Sequence, residues 1–126
     1  MGKKYSLEKE VYFETIWYIR QYPKMVEEYK ELMQGSYLWG KMKMDGMPHG
    51  TKTSDMVSAA AERLADVTKR MLPIRKAIDH IPEEYHQGIL DNIIHRKPYP
   101  TEADLSTWKR WKRRFVYWVA IERQRQ

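Results

Sequence analysis

Eight apolar residues, Met56, Ala60, Leu64, Val67, Met71, Ile74, Ile78 and Ile81, recur at spacings of 4, 4, 3, 4, 3, 4 and 3. A strand, with its two-residue period, cannot put them on one face, whereas a helix lines them up as a single stripe. At the helical rise of 1.5 Å per residue, the stripe is roughly 40 Å long. An apolar stripe of that length has to be covered. It fits the spine of a monomeric bundle and a dimer interface equally well. Pro73 stands inside it, removes one backbone donor and is expected to bend the helix. The 126 residues amount to one domain, long enough to bury a core. No run alternates as strands do, so the expected fold class is all-α, a multi-helix bundle with a long bent central helix.

The remaining segments are helical in pattern too. Ser6 reads as the cap of LEKEVYFETIWYIRQY, with Glu8 and Glu10 at its positive end. Leu7, Val11, Tyr12, Ile16, Trp17 and Ile19 form a broad apolar face. Pro23 ends this helix and starts PKMVEEYKELMQ, whose Met25, Val26, Tyr29, Leu32 and Met33 share a face. The two are expected to form a helical hairpin, with one bent helix as the alternative, that stops at Gly35. Residues 35–53, rich in glycine and without a period, read as a long connection packed back through Tyr37, Leu38 and Trp39. Ser54 is expected to cap the longest helix, with Asp55 in its first turn.

Pro82, Glu83 and Glu84 open another helix, with Tyr85, Ile89, Leu90, Ile93 and Ile94 facing inward. Gly88 inside it costs helix propensity and permits close packing. Pro98 and Pro100 forbid continuation beyond His95. Thr101 to Asp104 has capping-box spacing and room for about one turn. Ser106 then caps a last helix carrying Trp108, Trp111, Phe115, Trp118 and Val119 on one side. The expected organisation is five helices in one compact domain. Residues 1–81 hold the helical pair, loop and long helix, and residues 82–126 hold a tri-helical, helix-turn-helix-like unit.

Charge marks that second part. The net charge is +6; residues 1–95 carry 14 basic and 14 acidic side chains, whereas residues 96–126 carry 9 and 3. Such asymmetry favours a polyanionic partner. Lys109, Arg110, Lys112, Arg113 and Arg114 crowd the start of the last helix, where cations oppose the helix dipole and do not stabilise the helix. In a helix-turn-helix arrangement Arg110 and Arg113 suit guanine edges, and Lys109, Lys112, Arg114, Arg96 and Lys97 suit phosphates. A solvated basic face is the plain alternative, and exposed aromatics keep RNA open as a partner.

Other chemistries have little footing. There are no cysteines, hence no disulfides and no thiolate chemistry. His49, His80, His86 and His95 lack ligand spacing, and the His86–Glu83 pair is of a kind that surfaces produce freely. There is no Ser-His-Asp order, Walker motif or GxGxxG, and DGMPHG lacks the GK[ST] of a phosphate loop. No enzyme, cofactor or metal is expected. The N-terminus lacks an apolar signal core and no segment reaches eighteen apolar residues, so a cytoplasmic chain without membrane contact is expected.

The order MDGMPHGTKTSDMVSAAAERLADV, a long helix, then IPEEYHQGILDNIIHRKPYPTEADLSTWKRWKRRFVYWVA resembles the RinA/ArpU-type transcriptional regulators of bacterial prophages. The resemblance covers roughly residues 44–121. Met47, Pro48, Gly50, Ser54 and Asp55 match the loop-and-cap motif. Ser106, Thr107 and the basic residues through Arg114 match the start of a recognition helix in a unit like the promoter-reading domain of sigma factors. The resemblance implies sequence-specific binding of double-stranded DNA and control of late phage genes; a second copy of the chain and RNA polymerase are the further partners expected, in a bacterial host cell. The chain departs from the family pattern at Thr101–Leu105, where about one turn replaces a two-turn helix and no glycine closes it. The runner-up is a non-enzymatic helical assembly, packaging or adaptor protein of phage that uses the Met56–Ile81 seam for protein contacts.

Overall fold

In a computed structural model of the chain, the backbone is described for residues 4–44 and 50–126 and the side chains for residues 4–34 and 58–126. The fold is all-α: α1 (Lys9–Arg20), α2 (Tyr22–Met44), α3 (Gly50–Ile78), α4 (His86–His95) and α5 (Leu105–Gln124), with a 3₁₀ turn at Glu83–Tyr85 ahead of α4. Among the described residues, no helix is long and apolar enough to cross a membrane.

The chain forms two compact units, one of Met1–Tyr22 with Leu72–Gln126 and one of Pro23–Met71. The expected boundary between residues 81 and 82 therefore lies inside the first unit. The chain crosses between units next to Pro23 and close to Pro73. Pro73 lies inside α3 and is fully buried.

In the first unit α1 packs on α4 and α5, and α4 packs on α5 and on the 3₁₀ turn. Thr15, Ile16 and Ile19 of α1, Ile74 and Ala77 of α3, Ile89 and Ile93 of α4, and Trp108, Phe115, Val116 and Val119 of α5 are buried. The amphipathic spacing of each helix puts these residues on its inward face. Polar groups at the helix ends are satisfied from neighbouring elements. Arg20 Nε donates to the Ile93 carbonyl at 2.9 Å, covering the C-terminal end of α4 from α1. Past the end of α3, His80 and Ile81 donate their backbone N–H groups to the Ala77 and Ile78 carbonyls, tightening the exit. The Ile81 carbonyl in turn lies 2.6 Å from His86 Nε2.

Met25, Val67 and Met71 of the second unit are buried. Arg70 joins Glu28 of α2 at 2.9 Å and Asp66 of α3 at 3.1 Å. These groups are partly exposed, so each pair contributes at most about 1 kcal/mol.

Several expectations are corrected. Gly35 does not stop α2, which runs on to Met44, and α3 begins at Gly50, four residues before Ser54. The long connection over 35–53 is thus helical at 35–44 and 50–53, and Ser54 and Asp55 lie within α3. Met47 and Pro48 of the loop-and-cap motif lie outside the described residues. The physical reason is that a helical glycine costs only about 1 kcal/mol, which neighbouring Leu, Met and Lys can absorb. Ser6 is not the cap of α1; Glu8 holds that position without a side-chain cap bond. A single residue, Gln21, separates α1 from α2. Pro82 precedes a 3₁₀ turn, and α4 begins only at His86. Thr101–Ala103 is turn and bend, with no helical turn, and Asp104, not Ser106, is the N-cap of α5. Trp17 and Met33, expected inward, are 62% and 47% exposed.

Candidate nucleic-acid interface

The site is built on α5. Trp108, Phe115, Val116 and Val119 are at most 1% exposed, so one side of the helix is fixed in the core. Trp108 is the anchor of the N-terminal half. Its ring packs edge-on to Tyr85 at 5.0 Å and is stacked with Tyr99 at 5.8 Å. It also lies directly over Gly88 of α4. The indole N–H is buried without a hydrogen-bond partner among the described residues, so packing alone holds the ring. Trp111 and Trp118, expected with the core aromatics, are only half-buried at its margins.

With one side fixed, the basic residues sort by helical position. Ser106, Lys109, Arg110 and Arg113 are exposed, and Thr107 is half-buried. Arg110 leans over Trp111 with its guanidinium carbon 5.8 Å from the ring centre. Arg114 is held more firmly, 4.7 Å over Tyr5 and 5.0 Å over Trp111. Each such cation–π contact is worth about 0.5–1 kcal/mol at an exposed site and limits where the charge points. Trp111 is itself braced by a stack on Tyr85 at 5.8 Å.

Lys112 differs from the others. It is half-buried, and its Nζ donates to Asn92 Oδ1 at 2.9 Å. Asn92 Nδ2 donates onward to the Lys97 carbonyl at 2.8 Å. Burial, with a smaller push from Arg20, lowers the Lys112 pKa below the usual lysine value. Lys112 thus ties α5 to the end of α4. There Arg96 takes the left-handed conformation, with φ of 56°, and the Lys97 N–H donates to the Asp91 carbonyl at 3.3 Å. Arg96 and Lys97 are both exposed at this turn. The left-handed residue, as well as the prolines beyond it, ends α4.

Lys109, Lys112 and Arg113 line a cleft of about 400 Å³ together with Tyr12 of α1 and Tyr99 of the α4–α5 connection. Burial raises the pKa of Tyr12, outweighing the opposing effect of the Arg113 charge. Tyr99 is raised by burial and then by Tyr12. Both phenols therefore stay protonated, as O–H donors, throughout the neutral range.

The structure thus brings Lys109, Arg110, Lys112, Arg113 and Arg114 onto one helix and ties Lys97 to Lys112 through Asn92. Tyr12, Tyr99, Asn92 and Tyr5 were not foreseen as part of the site. Tyr99 had one signal, its place between Pro98 and Pro100. Compared with profiles of protein families, with curated proteins and with solved structures, the chain matches none of them.

Proposed function

We propose that this chain is a DNA-binding transcription regulator of the prophage type, which engages duplex DNA through the exposed side of α5. The observation that carries the reading is the division of α5. Trp108 and Phe115 seat it in the core while Lys109, Arg110 and Arg113 stand in solvent on the same two turns. Cations so crowded repel one another, which makes little sense for stability and good sense for a polyanion. The concentration of the net positive charge in residues 96–126 supports the same reading, as does the resemblance to RinA/ArpU-type regulators. Arg110 is assigned to base edges, and Arg113, which lines a cleft with Lys109, to a phosphate. Lys109, Arg114, Arg96 and Lys97 are assigned to phosphates, and Ser106 and Thr107 to the first turn facing the backbone. Lys112 serves as a brace whose remaining protons face the cleft. The proposal includes pairing of two chains, contact with RNA polymerase, a cytoplasmic setting in a bacterial host, and no enzymatic activity or cofactor.

The test is fluorescence anisotropy with duplex DNA at stepped salt concentrations. Logarithmic affinity should fall steeply and linearly with the logarithm of salt. Lys109→Ala/Arg110→Ala/Arg113→Ala should flatten the slope by about 0.9 for each lost phosphate contact and abolish binding at physiological salt. Retained affinity in a folded triple variant sinks the assignment. Selection from random duplexes separates a regulator, which enriches a motif, from an assembly or adaptor protein, which does not.

A further inference from the structure

The cleft between α5, α1 and the α4–α5 connection has a composition that a basic helix face alone does not explain. Lys109, Lys112 and Arg113 sit at adjacent helical positions, three and four residues apart, and converge on one space. The five lining residues, with Tyr12 and Tyr99, include no carboxylate. Like charges gathered without a counter-charge are costly, and the cost is relieved when an anion enters. The two tyrosines come from separate elements, α1 and the α4–α5 connection, and line the same cleft as the three cations. Tyr99 is held in place by flanking prolines and by its stack on Trp108 at 5.8 Å with ring planes only 12° apart. Lys112 is fixed by one bond to Asn92, leaving two of its three ammonium protons to donate.

We propose that this cleft is a phosphate-binding site. One phosphate group is seated between the Lys109 and Arg113 side chains, with hydrogen bonds from the Tyr12 and Tyr99 hydroxyls and the Lys112 ammonium. Charge-assisted bonds supply most of the attraction, and the two neutral phenols fix the oxygen positions. The inference rests on the nucleic-acid reading only for the source of the phosphate, which is a phosphodiester of a DNA strand or a free nucleotide monophosphate. The chemistry of the site is the same for both.

Tyr12→Phe/Tyr99→Phe tests it with both rings kept. Binding of inorganic phosphate and of adenosine 5′-monophosphate to the full chain is followed by amide chemical shifts, against sodium chloride of equal ionic strength. Wild-type protein should shift specifically at α5 residues 109–113, and loss of two hydroxyl donors should weaken phosphate binding about tenfold. Lys109→Ala/Arg113→Ala should abolish it. A parallel titration with a short duplex identifies the source. A weakened duplex affinity in the double phenylalanine variant places a backbone phosphate in the cleft, and an unchanged one assigns the site to a free nucleotide. Phosphate shifts that chloride reproduces, or that persist in both variants, overturn the proposal. Failure of the wild-type chain to bind any duplex while phosphate still binds would overturn the DNA reading alone.

Discussion

A Cβ on Gly88 would lie 2.7 Å from two ring carbons of Trp108 and 3.1 Å from Pro100 Cδ. The first distance is far inside van der Waals contact, and the indole is 1% exposed, with neighbours on every side. Gly88→Ala should therefore destabilise the chain by about 1–2 kcal/mol, because overpacking outweighs the roughly 1 kcal/mol that alanine returns in helix propensity. Urea unfolding followed by tryptophan fluorescence measures this, and a neutral or stabilising result would show that α5 can lift away from α4 freely. Tyr12 and Tyr99 carry a pH prediction. Their pKa values are raised from tyrosine's ordinary 10.0, so the fold favours the protonated phenols. The stability they contribute is fully present below that value and is lost as pH rises through the higher folded-state values. Lys112 has the opposite sign: its lowered pKa penalises the folded cation, and that penalty vanishes as pH approaches the ordinary lysine value of 10.5. In an alkaline titration followed by phenolate absorbance, Tyr12→Phe and Tyr99→Phe should each remove a late-ionising group. If either substitution leaves the late-ionising absorbance unchanged, the burial argument is wrong.

At the scale of the element, α5 has two sides along one length, one buried in the core and one carrying exposed cations. Phe115 is 0% exposed in the core, so Phe115→Ala should cost about 3–5 kcal/mol. Lys109, Arg110 and Arg113 are exposed, and their joint replacement by alanine should leave stability nearly unchanged, since surface changes of this kind are usually within about 0.5 kcal/mol each. Thermal unfolding and DNA affinity measured on both variants check this; a triple variant that unfolds would mean the cations serve the helix. This two-sidedness was legible in the sequence, because the periodicity of Trp108, Phe115 and Val119 separates the inward face from the charges between them. So was the packing role of Gly88. Helix ends were less legible. Ser6, Ser54 and Ser106 all have the right chemistry for caps, yet capping is worth only about 1 kcal/mol and loses to wherever the packed face begins. Gly35 failed as a stop for a similar reason, while Arg96, a residue with no special turn preference, takes the left-handed position that ends α4. The cleft was not legible, since Tyr12 and Tyr99 meet Lys109 only through tertiary packing, and Tyr12 reads in isolation as one more residue of an apolar stripe.

For the whole molecule, the continuous seam from Met56 to Ile81 conceals a division. Its residues belong to two compact units, Val67 and Met71 to the second and Ile74 and Ile81 to the first, and all four are buried. The first unit is discontinuous in sequence, α1 being returned to α4 and α5 after the chain has passed through the second. All nine basic residues of the 96–126 segment belong to the first unit, together with the whole α5 site. Function and the second unit's core should therefore respond to different substitutions. Val67 is 0% exposed, and Val67→Ala removes buried methyl groups at a cost of about 1–3 kcal/mol. If each unit holds its own structure, that cost falls on Pro23–Met71. Amide hydrogen exchange should accelerate there, stay unchanged in α4 and α5, and leave duplex affinity within about twofold of wild type, as expected for independent sites. Ile93→Ala, from the first unit's core, should do the reverse, loosening α4 and weakening DNA binding. Equal acceleration of exchange across both units in the Val67 variant would mean that the chain unfolds as one cooperative body.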